Sequence, residues 1–131
     1  MSHPIPSRAA TQTGRILSGL TLLFFAADGA AKLLQPQPVV DGTLELGFPQ
    51  TSIVPLGAVL LVCTVLYALP RTAVPGAILL TGYLGGAVAA HVRIGDPLLS
   101  HTLFPVYLGI ALWLGLWLRR PPLRAVLVAA R

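Results

Sequence analysis

Charge is what this chain lacks most. Only 10% of its 131 residues are charged, against 55% hydrophobic, and its mean hydropathy is +0.80. A soluble domain carries about a quarter charged residues, so water offers no home for this much apolar surface. Cysteine is nearly absent as well. The single Cys63 excludes an internal disulfide and any CxxC redox or zinc motif, and its place inside an apolar run suits a small core residue. There is no G-x-G-x-x-G fingerprint, no P-loop, no HxxE or HxxxH pair and no support for a catalytic serine triad. Nucleotide, structural-metal and serine-hydrolase chemistry therefore have no motif to stand on, and neither repeats nor low-complexity tracts appear. The net charge of +5 does not imply nucleic acid, because the nine basic residues are scattered at the ends of apolar runs instead of forming a patch.

What the chain does have is four long apolar runs. The length allows one domain, and the pattern predicts an all-α membrane protein, an antiparallel bundle of four transmembrane helices over about 15–34, 53–69, 74–93 and 97–118. Residues 1–14 read as a short polar cytoplasmic arm, 35–52 as the one substantial outer loop, and 119–131 as a basic cytoplasmic tail resting on the membrane surface. The first run continues through Lys32 to Leu34, so it reads as a span and not as a cleaved signal. Pro36 and Pro38 stop helix one, and Asp41 is placed to cap a short turn or helix that Gly47 and Pro49 end. Gly95 suits a left-handed helix end, Asp96 a cap for the next helix, and Pro97 its first turn, with Pro105 bending that helix midway.

Orientation follows from the basic residues. With both termini cytoplasmic, Arg8, Arg15, Arg71, Arg119, Arg120, Arg124 and Arg131 lie inside, and only Lys32 and Arg93 lie outside. That bias places the protein in a cytoplasmic membrane, the bacterial inner membrane being the expectation. Arg93 and the arginines from 119 to 124 read as interfacial anchors. Trp117 fits the inner interface, and Trp113 lies deeper and packs.

Ionisable residues within spans are costly and usually face the bundle interior, which makes them the functional candidates. Asp28 and Lys32 stand one turn apart on helix one, about 18 and 24 Å into the membrane from its inner end. His91 falls about 25 Å along helix three, and His101, one turn into helix four, sits at a similar depth. Asp28, Lys32, His91, Arg93 and His101 thus converge on the outer leaflet. Arg93 shares a helix face with Gly82 and Gly86, whereas His91 falls nearly opposite. The small residues Gly82, Gly86 and Ala90 form a helix-packing stripe, within the chain or across a homodimer. A structural ion pair for Asp28–Lys32 and a bridging hydrogen bond for His91 are readings that require no function.

The stretch from Leu46 to Asp96, with LGIALWLGLWLRRPPLR after it, resembles the DoxX-like family of small four-helix membrane proteins. The resemblance is carried by Gly29-Ala30-Ala31-Lys32-Leu33, Leu46-Gly47-Phe48-Pro49, Leu69-Pro70-Arg71-Thr72, and Gly85-Gly86-Ala87 with Ala90-His91. It implies the four-helix fold, and it matches Lys32 and His91 to recurrent family positions more firmly than Asp28, Arg93 or His101. The wider superfamily includes quinone-linked sulfur-oxidising membrane subunits, which generally work with a partner, and the receptor assembly factor NACHO.

Two functions are therefore expected. One is a non-enzymatic bundle that assists other membrane proteins by helix packing, with no cofactor. The other is a bundle that binds a quinone or similar lipid-like molecule through Lys32 and His91, with Asp28 or His101 relaying protons. A small-solute transporter fits less well, because four spans are few and no broken helix pair marks a midplane site.

Overall fold

A computed structural model describes residues 7–129. Six α-helices follow in order: α1 (Arg8–Leu34), α2 (Gln37–Glu45), α3 (Ile53–Ala68), α4 (Ala73–Ile94), α5 (Phe104–Arg119) and α6 (Pro121–Ala129). A 3₁₀ turn, Gln50–Ser52, leads into α3, and a π-helical turn, Leu98–Thr102, leads into α5. With those lead-in turns counted, four helices are long and apolar enough to cross a membrane: Arg8–Leu34, Gln50–Ala68, Ala73–Ile94 and Leu98–Arg119. Each of the four packs on two neighbours, α1 on α5 and α3, and α4 on α3 and α5, so the bundle closes as a square.

The first helix begins earlier than the sequence suggests. Ser7 accepts the Ala10 amide at 3.1 Å, a side-chain cap, and the helix runs on from Arg8 through the second half of the stretch read as a polar arm. Packing explains the gain. Gly14 lies so close to α5 that a Cβ on it would stand 2.8 Å from the Gly115 carbonyl oxygen and the Arg119 amide. Gly29 and Gly57 allow the same approach between α1 and α3, where a Cβ on Gly57 would fall 2.7 Å from Lys32 Cβ. Residues 1–6, the start of the expected arm, and 130–131, the end of the tail, lie outside the described residues.

The interior is apolar, with Phe25, Leu60, Leu80, Leu112 and Leu116 fully buried. Outward faces are apolar as well: Leu23 is 68% exposed, Val62 and Ile110 60% and Ile78 58%. Apolar surface on both sides of a helix is the pattern of a span bathed in lipid.

Polar groups cross the bundle at one end. Arg119 Nε donates to Ser18 Oγ at 2.9 Å, Ser18 Oγ lies 3.0 Å from the Tyr67 hydroxyl, and that hydroxyl donates to the Leu112 carbonyl at 2.7 Å. The donors and acceptors admit one direction: guanidinium to serine to tyrosine to carbonyl. At this same end Arg120 donates to the Pro70 carbonyl, and Arg124 donates to the carbonyls of Trp117 and Leu118 while lying over the Trp117 ring. Arg119, Arg120 and Arg124, expected as interfacial anchors, also tie elements together. The tail is helical over Pro121–Ala129.

Three further local expectations are corrected. Pro38 starts α2 and does not help to end α1, because a first-turn residue has no partner for its amide anyway. Asp41 sits inside α2, accepting from Gln37 Nε2 at 2.7 Å, and caps nothing. Pro105 is in the first turn of α5 and does not kink a helix running from 97. The residues before it form the π turn, where the amides of Thr102 and Leu103 reach back five residues to Pro97 and Leu98.

Candidate functional site

At the other end the square opens into a cavity of about 730 Å³. Its walls come from all four long helices, and α2 lies across it with Val39, Thr43 and Glu45 facing in. Asp28 and Lys32 bring charge to the α1 wall, held together at 2.6 Å as their spacing of four predicts. The carboxylate is the more open half of the pair, its side chain 36% exposed against 15% for the lysine.

The opposite wall is built by the end of α4. Gly95 adopts φ 72°, a left-handed conformation that glycine enters without the clash a Cβ brings. The chain then doubles back, so that the Asp96 amide donates to the His91 carbonyl at 3.1 Å and the Asp96 Oδ2 stands 2.5 Å from His91 Nδ1. Asp96 was expected to cap the following helix. It faces the other way because the left-handed residue returns its side chain to the helix just left. A carboxylate on Nδ1 leaves the imidazole Nε2 as an acceptor when the ring is neutral.

The π turn delivers the remaining histidine. Its wide backbone, tied by Thr102 Oγ1 to the Asp96 carbonyl at 3.2 Å, sets the His101 ring edge-on to His91 with centroids 6.3 Å apart. Single π turns are frequent at functional sites, where they re-aim a side chain. Ser100 Oγ lies 2.8 Å from His101 Nδ1.

Of the five ionisable residues expected at this end, Asp28, Lys32, His91 and His101 line the cavity and Arg93 does not. Arg93 points to the outside of α4, where its Nη2 donates to the Leu46 carbonyl at 2.6 Å. It passes over Gly47, at φ 86°, where a Cβ would collide with the guanidinium. The Leu46–Gly47 corner, Arg93, Gly86 and Ala90 border a smaller cavity of about 300 Å³.

The small-residue stripe behaves differently from a packing seam within the chain. A Cβ placed on Gly82, Gly85 or Gly86 meets nothing within 4 Å, and Gly82, Gly86 and Ala90 line the main cavity together with His91. The cavity is broad enough to take in helix positions that lie nearly opposite one another on a helical wheel. Sequence reasoning missed Asp96, Glu45 and the aromatic lining of Phe24, Phe25, Phe48, Tyr83 and Phe104. The signal for Asp96 was present: a residue directly after a left-handed helix end folds back on the last turn. Among the described residues no three His, Cys, Asp or Glu side chains gather as a metal site requires.

A closed square of four candidate spans, with a capped cavity between them, defines a small integral membrane helical bundle. The chain belongs to the DoxX-like family, whose sequence profile matches residues 16–115. That span takes in every cavity-lining residue from Phe24 to Leu108 and leaves out residues 1–15 and the chain after Gly115. Comparison with curated proteins returned no match, and comparison with solved structures returned none.

Proposed function

We propose that this protein binds a lipid-soluble small molecule in the capped cavity and retains it within the membrane. The observation that carries the reading is the cavity itself: about 730 Å³, mostly apolar walls, and polar groups confined to Asp28–Lys32, Glu45, Thr43, Tyr83 and the His91–Asp96–His101 set. Ligand sites combine those features, an apolar volume for affinity and a few polar groups for orientation. His91 supplies an acceptor nitrogen, and Lys32 a donor, to a headgroup at the mouth. A quinone is one molecule of this shape. Both termini are taken as cytoplasmic on the arginine count, which puts the cavity in the outer leaflet.

Native mass spectrometry of the protein extracted gently from its own membrane tests this reading. A discrete small-molecule adduct, lost in a Lys32→Gln, His91→Leu variant that stays folded, is the expected outcome. A bundle carrying only bulk phospholipid in both forms overturns it.

A second reading rests on a separate observation. Gly82, Gly85 and Gly86 have open space where a neighbouring backbone would fit, so the outer part of this α4 face suits a helix from a second copy or from another membrane protein that this one helps to assemble. Under it, Gly86→Leu abolishes a crosslink between chains that wild-type protein forms in native membranes. An unchanged crosslink removes the stripe from any such interface.

A further inference from the structure

The chain's aromatic and acidic residues are not spread evenly over its surface. All four phenylalanines, Phe24, Phe25, Phe48 and Phe104, line the main cavity, and so do three of the four acidic residues, Asp28, Glu45 and Asp96. No arginine among the described residues lines it, in a chain whose net charge is +5. The cavity is therefore electronegative inside an otherwise basic protein, and aromatic rings form part of its walls.

The positive groups present are already matched. Lys32 is held on Asp28 and is the less open half of that pair, and His91 has its Nδ1 on Asp96. Each of these carboxylates uses Oδ2 for its partner, and among the described residues no hydrogen bond reaches either Oδ1. An anionic headgroup would face three carboxylates to reach one ammonium. A neutral ligand leaves the free oxygen of Asp28, an acid within a span and so costly to keep, without a charge to meet. A cation answers both features, because aromatic faces attract a positive charge and the attraction grows once water is excluded.

We propose that the cavity is selective for a cationic lipid-soluble molecule, a protonated amine or a quaternary onium carried on apolar groups, with its charge set between Asp28 and Asp96 and its apolar part against the phenylalanines. The inference rests on the lipid-soluble-ligand reading above and adds the sign of the charge. Fixed polarity of this kind turns a general greasy pocket into a discriminating one, since like-charge contacts are penalised as strongly as opposite charges are rewarded.

The test uses the full chain in lipid nanodiscs and a pair of probes of the same shape and opposite charge, tetraphenylphosphonium and tetraphenylborate, with triphenylmethanol as the neutral comparison. Equilibrium dialysis against empty nanodiscs removes simple partitioning into lipid. The expected result is saturable tetraphenylphosphonium binding at least about tenfold tighter than tetraphenylborate, a difference of about 1.4 kcal/mol. Asp28→Asn and Asp96→Asn should each shrink that preference, and Glu45→Gln, a solvent-exposed residue at the cavity's α2 rim, gives a third reading in a variant that leaves the bundle's core untouched. Equal or tighter borate binding overturns the inference, as does a preference that none of the three variants changes. Saturable binding of triphenylmethanol alone overturns it while leaving the ligand-binding reading in place. No saturable binding of any probe removes both.

Discussion

The Tyr67 hydroxyl, on α3, donates to the carbonyl of Leu112, on α5, across the width of the bundle at 2.7 Å. It is fully buried, and Ser18 and Arg119 continue the same chain of hydrogen bonds to the surface. One phenol thus joins three of the four spans. Tyr67→Phe removes it with almost no change in volume, so the loss isolates the hydrogen bonds. We expect about 1 kcal/mol of destabilisation, the usual scale for a cross-helix bond in a membrane protein. Denaturation in mixed micelles checks this, and an unchanged midpoint would show that Ser18 and Arg119 find replacement partners.

Gly14 and Gly115 carry a steric prediction. Gly14→Ala places a methyl group 2.8 Å from backbone atoms of α5, which cannot turn aside as a side-chain tip does. We expect a loss of about 1–3 kcal/mol, the scale of overpacking in a dense interior. Gly19→Ala, where nothing lies within 4 Å, should be neutral or slightly stabilising, and comparing the two separates crowding from helix propensity.

Gly95→Ala forces a side chain into φ 72°, which costs about 1–2 kcal/mol. If the left-handed corner is what aims Asp96, the same variant should loosen the His91–Asp96 contact. The Nδ1 proton resonance of His91 should then move from its wild-type position toward that of a solvent-exposed imidazole. A shift no larger than that in a control away from the cavity, such as Gly19→Ala, would place the aim of Asp96 in the π turn.

Lys32→Met leaves Asp28 without its partner beside apolar walls. The single change should therefore destabilise more than the double change Lys32→Met, Asp28→Asn, because the second substitution removes the stranded charge. Additive losses in unfolding experiments would mean that water at the cavity mouth already solvates the carboxylate.

Arg93→Gln shortens the reach from α4 to the Leu46 carbonyl, the one hydrogen bond among the described residues that runs from a spanning helix to the corner ending α2. Amides of α2 should exchange roughly three- to tenfold faster, while those of α3 stay as they were. Equal protection in α2 would assign its position to apolar contact alone.

The spans were legible because hydrophobic run length and helix-breaking residues are properties of neighbours in the chain. So was the Asp28–Lys32 pair, which needs only the helical repeat. The convergence of Lys32, Asp28, His91 and His101 followed from depth counting, since an even bundle returns each helix to a known side. Arg93 lies at the depth counted but outside the cavity, in keeping with the helical wheel, which sets it nearly opposite His91 because two residues on the helix has turned by about 200°. The direction of Asp96 and the start of α5 at Phe104 depend on one left-handed residue and one wide turn, which average hydropathy does not register. The Ser18–Tyr67–Arg119 ties were out of reach altogether, because they join residues as far as 101 positions apart. Their types look like ordinary interfacial and core residues until the fold brings them together.

Those ties give the bundle a mechanical polarity. The cross-span side-chain hydrogen bonds, Tyr67 to Leu112, Arg119 to Ser18 and Trp113 to Thr81, sit at or toward the end away from the cavity. Beyond them α1 and α3 stay clasped through Gly29 and Gly57, while α4 and α5 face the cavity across open space. The molecule is a pair of tongs: a hinge of polar bonds at one end, two jaws at the other, and α2 held by Arg93 as the catch. On the proposed ligand-binding reading, a guest that spread α5 from α1 at this end would leave the bonds at the other end unbroken. Its entry and exit would draw on apolar contacts such as Phe24 on Phe104 and not on the hydrogen bonds that tie the spans.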